Sequence, residues 1–337
     1  MKDTTVLVTG GAGYIGSHAV LALKDAGFPV VVIDNLVTGF RWAVPEDVPF
    51  YQGDIADEAL VDTICKTHGI SAIMHFAGSV VVPESVENPL KYYHNNTAKS
   101  RTLIESAVRN KVKHFIFSST AAVYGIPERV PVAEDFPTVP INPYGASKLM
   151  TEVMLRDCSA AYPINHAALR YFNVAGADPA GRTGQSTRNA THLIKVAAEA
   201  ALGKRASISI YGTDYPTADG TGVRDYIHVS DLVNAHVLAL ERLIEEPKQN
   251  LLLNCGYNRG FSVLEVIEAV ERVSGVAIQR ELAPRRPGDP AALVADNRKI
   301  QETFAWQPRY GNLDFIVETA LNWERQVETR RAERQLN

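Results

Sequence analysis

The sequence is poor in cysteine: Cys65, Cys158 and Cys255 are the only three in 337 residues, far apart and in no Cys-x-x-Cys pair. An odd, scattered set excludes a disulfide-stapled scaffold and fits a reducing compartment. Long apolar runs are missing too. No stretch approaches the roughly 18 uninterrupted apolar residues that a membrane helix needs. The N-terminal run Val6-Leu7-Val8 meets glycines before a signal-peptide core can form. A cytoplasmic protein, used intact from its first residue, is therefore expected. Nor is there an excess of one charge: 34 basic and 38 acidic residues leave a formal −4, which offers no general field for nucleic acid or an anionic membrane. Internal repeats and low-complexity segments are absent. What is there is 46% apolar and 21% charged residues, close to the average globular composition, in a length worth a little over two domains at about 150 residues each.

The first half alternates short β-branched runs with longer amphipathic stretches, the pattern of a doubly wound parallel α/β sheet of Rossmann type. Val6-Leu7-Val8, Val30-Val31-Val32-Ile33, the segment from Val48 to Tyr51, Ile73-Met74-His75-Phe76 and His114-Phe115-Ile116-Phe117 read as its strands. They are continuous rather than alternating, as strands buried on both faces are. Ala56 to His68 and Leu90 to Arg109 read as helices. Beyond Phe172 the texture changes: Asn173 to Arg188 and Tyr211 to Gly222 read as irregular, with helices at Thr191–Leu202, Ser230–Leu240 and Ser262–Val273. The spacing predicts a first domain over residues 1–172 and a smaller α/β lobe over 173–337, some of whose segments return to the first domain. The charge-dense run Glu324 to Arg334 reads as a solvated helix end or fraying tail.

After the first strand comes Thr9-Gly10-Gly11-Ala12-Gly13-Tyr14-Ile15-Gly16, followed at once by a helical pattern. Glycines there permit a tight turn, close approach of backbone to a pyrophosphate, and close helix–strand packing, while the helix N-terminus offers unpaired N–H donors. Asp34 ends the second strand, where a carboxylate accepts from adenosine ribose hydroxyls and repels a 2′-phosphate, so NAD is favoured over NADP. Asp54 follows the third strand and is placed to meet the adenine edge. Phe76-Ala77-Gly78 ends the fourth in small residues that let a dinucleotide pass.

Ser118-Ser119-Thr120 closes the fifth strand, and Asn142-Pro143 starts a helix that puts Tyr144 and Lys148 one turn apart on one face. A tyrosine with an ordinary pKa of about 10 is a poor base at pH 7, and lowering it by ~3 units takes roughly 4 kcal/mol of preference for the phenolate. A lysine ammonium one turn away and a cationic nicotinamide can each supply part of that. Thr120 would hydrogen-bond the same substrate oxygen.

With these motifs the sequence resembles the extended short-chain dehydrogenase/reductase family and, within it, the UDP-sugar 4-epimerases. The resemblance runs from Val6 to about Tyr310. It is carried by Val8 to His18, Asn142 to Lys148, Arg170-Tyr171-Phe172-Asn173 and, most specifically, Tyr215 to Val229. It implies a UDP-sugar-binding lobe over 173–337 and a catalytic trio of Tyr144, Lys148 and Thr120. It adds Asn35, Ile55, Asn95, Ser118 and Tyr171 to the NAD-contacting set of Gly10, Gly13, Tyr14, Ile15, Gly16, Asp34, Asp54, Phe76, Ala77, Gly78, Tyr144 and Lys148. For the substrate it implies Asn173, His192, Leu193, Tyr211, Arg224, Arg286, Asp289 and Leu293 besides Thr120 and Tyr144. Arginine suits this role through its planar fork of donors to phosphate oxygens.

The implied reaction is interconversion of UDP-glucose and UDP-galactose by reversible hydride transfer at sugar carbon 4 through a 4-keto sugar, with NAD as cofactor, no metal, and a homodimer through the helices Leu90–Arg109 and Tyr144–Ala161. Relatives that eliminate water carry an acidic pair after the threonine; here Ala121-Ala122 follow, which favours simple oxidation and return at carbon 4. Two places depart from the family pattern. Val80 stands where many epimerases have a lysine near the cofactor phosphates, and Leu293 where some bacterial enzymes have a tyrosine closing the sugar pocket. Leu293 leaves open a substrate with an N-acetylated sugar or a pentose. A dinucleotide-sensing protein without chemistry is the third reading, against which the retained Tyr144 and Lys148 speak.

Overall fold

The computed structural model describes residues 2–188, 190–286 and 289–335, the side chains of 331–335 excepted; Pro287 and Gly288 of the Arg285–Asp289 stretch lie outside them. In the first half the elements are β1 (Thr5–Thr9), α1 (Tyr14–Asp25), β2 (Val30–Asp34), β3 (Phe50–Gln52), α2 (Glu58–His68), β4 (Ile70–His75), α3 (Val82–Glu87), α4 (Pro89–Tyr92), α5 (Lys99–Arg109), β5 (His114–Ser118), α6 (Pro143–Ala161) and β6 (Asn165–Tyr171). They are followed by β7 (Asn173–Ala175), α7 (Leu193–Ala201), β8 (Ile208–Tyr211), β9 (Val223–His228), α8 (Val229–Glu245) and β10 (Leu251–Cys255). The last are β11 (Gly260–Ser262), α9 (Val263–Ser274), β12 (Arg280–Ala283), β13 (Ala292–Leu293), α10 (Arg298–Phe304) and α11 (Leu313–Gln335).

Seven strands form one parallel sheet in the order β10-β6-β5-β4-β1-β2-β3. Successive residues of a strand face opposite sides of a sheet, and the apolar runs divide accordingly. Val6, Val8, Val32, Met74 and Ile116 pack with α1 and α8 on one face. Leu7, Val31, Ile33, Ile73, Phe115 and Phe117 pack with α2, α5 and α6 on the other. That double burial is why the runs are continuous. The order reverses direction between β1 and β4, and a crevice opens there at the strands' carboxyl ends.

β10 and the helix α8 before it belong to this sheet although they follow the second lobe's first segments in sequence. The second lobe holds a small sheet of β11, β9 and β13, with β7 also on β9, and a β8–β12 pair. Its core lies among α7, α9 and α11. Within the stretch read as irregular, Asn173–Ala175 is a strand because it finds β9, fifty-three residues on in sequence, in register Asn173↔Tyr226.

Two helical expectations change. Leu90–Arg109 is not one α-helix: α4 passes through a π-helical turn at Tyr93–Ala98 before α5. Tyr92 is pinned there, its hydroxyl 2.6 Å from Val81 O, and Asn96 turns to Ser79. Nor is Glu324 solvated. It is buried in α11, where its carboxylate pairs with Lys195 and, at 2.6 Å, with Lys204 Nζ.

Candidate active site

The parallel sheet gathers the first group of expected residues at its carboxyl edge. Gly10 to Gly13 join β1 to α1, whose first turn carries Tyr14, Ile15 and Gly16; Asp34 ends β2 and Asn35 follows it; Asp54 and Ile55 follow β3; Phe76, Ala77 and Gly78 follow β4; Ser118 ends β5 and Thr120 follows it; Tyr171 ends β6. Asn95 lies in the π-helical turn and donates to Ser79 Oγ at 2.9 Å.

The glycines differ in what they permit. Gly10 has φ +68°, and a Cβ there would lie 2.7 Å from Ala77 N; a Cβ on Gly16 would lie 2.1 Å from Gly10 O. Gly13 is freer, its hypothetical Cβ meeting only Gly10 O at 3.2 Å. As N-cap of α1 it brings no side-chain acceptor, and the first turn holds no acidic residue. The first-turn amides and the positive end of the helix dipole are therefore left to an anion, which fits a dinucleotide pyrophosphate. Asp34 accepts from Ala12 N at 2.9 Å and Leu36 N at 2.8 Å. Burial raises its carboxyl pKa, opposed by those two N–H groups. The Tyr14 side chain turns to the second lobe, where its hydroxyl donates to Gly176 O at 2.7 Å. Asp54 is ion-paired with Lys99 at 2.5 Å; burial pushes its carboxyl up, but Lys99 and the Ala56 N–H carry it below the ordinary value. Val80 is exposed.

Asn142 caps α6 by accepting from Gly145 N at 2.9 Å, which sets Tyr144 and Lys148 on the face turned to β5. Tyr144 is buried, beside the Thr120 hydroxyl and edge-on to the Tyr92 ring at 6.4 Å. Lys148 Nζ donates to Ser118 O at 3.0 Å and lies over the Phe117 ring. Burial brings its pKa down to about 8, with Glu152 holding it up. The expected lowering of the tyrosine is not delivered by these neighbours. Burial, followed by the nearby Tyr171, drives the Tyr144 pKa well upward, and the Thr120 hydrogen bond is the contact that favours its phenolate.

The second group meets around β9. Asn173 on β7 lies beside Tyr226 and Leu293 on β13 beside Arg224. Arg224 is ion-paired with Asp289, so the carboxylate expected to meet ribose hydroxyls is also this arginine's partner. Arg286 stacks its guanidinium 3.9 Å above the Tyr211 ring. Leu293 packs on the cluster of Ala121, Val123, Tyr124 and Phe172, which ties it to the segment after Thr120. His192 and Leu193 meet the same lobe at the start of α7: Leu193 packs on the cluster that includes Ala175 of β7 and Tyr226 of β9, and Gln185 Nε2 meets His192 Nδ1 at 2.8 Å beside a cavity that also reaches Val174, Gly176 and Trp323.

Sequence reasoning missed the polar groups that brace this edge. Asn96 Oδ1 accepts from Ser79 N at 2.7 Å, and its amide nitrogen donates to Ser147 Oγ at 3.1 Å. Ser119 and Arg170 converge on Glu152. Their partners are remote in sequence, so no local pattern announces them.

A phosphate-ready helix end, a carboxylate at the end of β2 and a Tyr/Lys/Thr set beside the crevice together define an enzyme that works on a dinucleotide. Comparison with known proteins narrows the class. The NAD dependent epimerase/dehydratase family matches residues 6–256. UDP-glucose 4-epimerase of Azospirillum brasilense is 59% identical over 323 residues, covering 96% of this chain and 92% of that protein. A crystal structure of UDP-glucose 4-epimerase from Brucella ovis in complex with NAD superposes with a TM-score of 0.91 at 43% identity, covering 95% of this chain and 98% of that one. The UDP-Glc/GlcNAc 4-epimerase of Campylobacter jejuni gives 0.84 at 48% identity, with 96% and 99% covered. The chain belongs to the NAD dependent epimerase/dehydratase family.

Proposed function

We propose that the protein is a UDP-glucose 4-epimerase, interconverting UDP-glucose and UDP-galactose. The observation that carries this reading is the pairing of Tyr144 with Thr120 one helical turn from Lys148, in a chain with this likeness to proteins of that name. NAD, when bound, supplies an acceptor for the hydrogen of sugar carbon 4 and a positive ring beside the phenol. Gly10 to Gly16 and Asp34 would hold its pyrophosphate and adenosine ribose.

The work of the chain itself is to position and to move a proton. Tyr144 as phenolate takes the proton of the 4-hydroxyl and returns it. Thr120 gives its one hydroxyl proton to the Tyr144 phenolate before the transfer and to the sugar oxygen after it, and Lys148 orients the cofactor ribose. Arg224, Arg286 and Asp289 grip the UDP while the sugar is left free to turn, which places binding energy on the remote, non-reacting part of the substrate. Burial opposes the Tyr144 phenolate, so a positive cofactor ring beside the phenol would favour the base.

The division into an NAD-binding unit over 1–172 and a UDP-sugar lobe over 173–337, with β10 and α8 serving the first, belongs to the same proposal. So do a cytoplasmic location and a homodimer. Among the described residues no helix is long and apolar enough to cross a membrane. Val86 and Leu90 in α3–α4 and Met150 and Val153 on α6 are exposed apolar side chains, a surface that a two-fold mate would cover.

The deciding experiment measures kcat/KM of the purified protein with UDP-galactose, UDP-N-acetylgalactosamine and a UDP-pentose, alongside Tyr144→Phe. Highest activity on UDP-galactose and a loss of at least the roughly 10²-fold typical of removing a general base are expected. Turnover of Tyr144→Phe at the wild-type rate would sink the assignment, and preference for the N-acetylated sugar would move it to that substrate.

A further inference from the structure

We propose that Glu152 is a positioning residue: its buried carboxylate, gripping Ser119 and Arg170 at once, sets Tyr144 and Lys148 against Thr120 and Tyr171. The inference rests on the functional reading above and deepens it.

Tyr144, Lys148 and Glu152 recur at four-residue steps on α6 and so share one face. Glu152 Oε1 accepts from Ser119 Oγ and, at 3.0 Å, from Arg170 Nε; Oε2 accepts from Arg170 Nη2 at 2.6 Å. Each partner is the chain neighbour of a site residue: Ser119 precedes Thr120 at the end of β5, and Arg170 precedes Tyr171 at the end of β6. One carboxylate thus joins the helix carrying the base to the two strand ends that face it. Arg170 also fixes the face of Tyr171. With Arg170 turned to α6, the next side chain must point to the opposite side of the sheet, where Tyr171 packs near His236. The guanidinium is closed off by the Tyr124 ring at 4.9 Å.

The side chains of Arg170 and Glu152 are only 4% and 9% exposed. A buried ion pair contributes little net stability compared with well-packed apolar residues, so its presence here calls for a role in geometry or charge. The charge has a visible target. Around Lys148 lie the Ser118 carbonyl and Phe117 on β5, His75 on β4, kept neutral by burial, Tyr144 and Glu152 on α6, and Arg170 behind Glu152 on β6. Glu152 is the anion of this set. Without it the Lys148 ammonium faces burial and Arg170 alone, and loses its proton at lower pH.

The test compares NAD-loaded wild type, Glu152→Gln, Glu152→Asp and Ser119→Ala by pH–rate profile for UDP-galactose, with NMR titration of the Lys148 amine in carbon-13-labelled protein. For Glu152→Gln the alkaline limb and the Lys148 titration should both move down by about one pH unit, with kcat falling about tenfold or more and KM within about threefold. Glu152→Asp, which keeps the charge at shorter reach, should restore the alkaline limb but not the full kcat. A folded Glu152→Gln protein with an unmoved Lys148 titration overturns the proposal. If that variant does not fold, Ser119→Ala decides: a kcat lowered by about fivefold at unchanged KM supports it, and a wild-type kcat overturns it. The NMR readout needs no turnover, so a wild type inactive on every UDP-sugar would defeat the functional reading while leaving this one to its own result.

Discussion

A buried phenol resists ionisation, and at Tyr144 the chain's own help is a single hydroxyl. Thr120 is the neighbour whose hydrogen bond favours the phenolate, against burial and the phenols of Tyr171 and Tyr92. Thr120→Val removes that help while conserving shape, so the Tyr144 pKa in the loaded enzyme rises. Activity that needs the phenolate is then lost at a higher pH on the acid side. The acid limb of the kcat profile should move up by about half a unit to one unit, with kcat at neutral pH down about tenfold; an unmoved limb would show that Thr120 does not touch the base. At Asp34 the same kind of reasoning concerns selectivity. Its charge repels a 2′-phosphate, while its oxygens also serve Ala12 N and Leu36 N. Asp34→Asn keeps one acceptor and drops the charge. Its preference for NAD over NADP, read as a ratio of Kd values, should shrink by about tenfold or more, the scale of one lost charged hydrogen bond. Equal ratios for wild type and variant would place the ribose elsewhere.

At the scale of elements, the β1–α1 turn separates glycines that fold the chain from the glycine that faces a ligand. Gly16 is packed on Gly10 O and tolerates no Cβ, whereas Gly13 meets one backbone oxygen at 3.2 Å and otherwise faces open space. Gly16→Ala should therefore lower Tm markedly, with NAD binding lost as a consequence. Gly13→Ala should keep Tm within a few degrees, because only a small shift of one neighbour is needed, yet lose NAD affinity by about a hundredfold if the pyrophosphate lies against it. Isothermal titration beside thermal melts checks both; full NAD affinity in Gly13→Ala would remove the phosphates from this turn. The elements that carry this logic were legible because β1, β2, β4 and β5 are uninterrupted apolar runs between helices. β6 was not. It opens with Asn165 and His166, polar side chains that a strand buries only when satisfied, and here Asn165 meets His114 and Leu243 O while His166 meets Ser159. β7, β11 and β13 are two or three residues long and draw their existence from β9, across the chain, which no local window contains. Tyr144, Lys148 and Asp34 could be picked out because each sits at a fixed distance from a turn or cap; Glu152 and Arg170 lie on different elements and are joined only by the fold.

The whole molecule contains a charge problem that its −4 sum conceals. Six histidines, His18, His75, His114, His166, His228 and His236, are buried; burial lowers the pKa of His114 and brings those of His18, His75, His166, His228 and His236 to about 4, 3, 4, 3 and 4 respectively. Their surroundings are built for the neutral ring. His228 Nδ1 accepts from Ser230 N at 3.1 Å, and Nε2 of His18 and of His236 has no hydrogen-bond partner among the described residues. The unfolded chain protonates these side chains near pH 6.5, the folded one only well below it. Stability that is whole above pH 6.5 is therefore lost as pH falls toward the folded values, at up to about 1.4 kcal/mol per histidine per unit. Asp225 acts the other way: buried, its carboxyl pKa is raised to about 6, so between that value and its ordinary one it favours the folded state as pH falls. Burial raises the Asp34 and Glu134 carboxyls as well, but three such carboxyls do not offset six rings. Thermal melts should show Tm falling by about 5 °C or more from pH 7.5 to pH 5, and replacing His236, whose ring has the unpartnered nitrogen, by a volume-matched apolar residue should flatten part of that slope. A Tm independent of pH across this range would mean that the rings already carry protons in the folded protein.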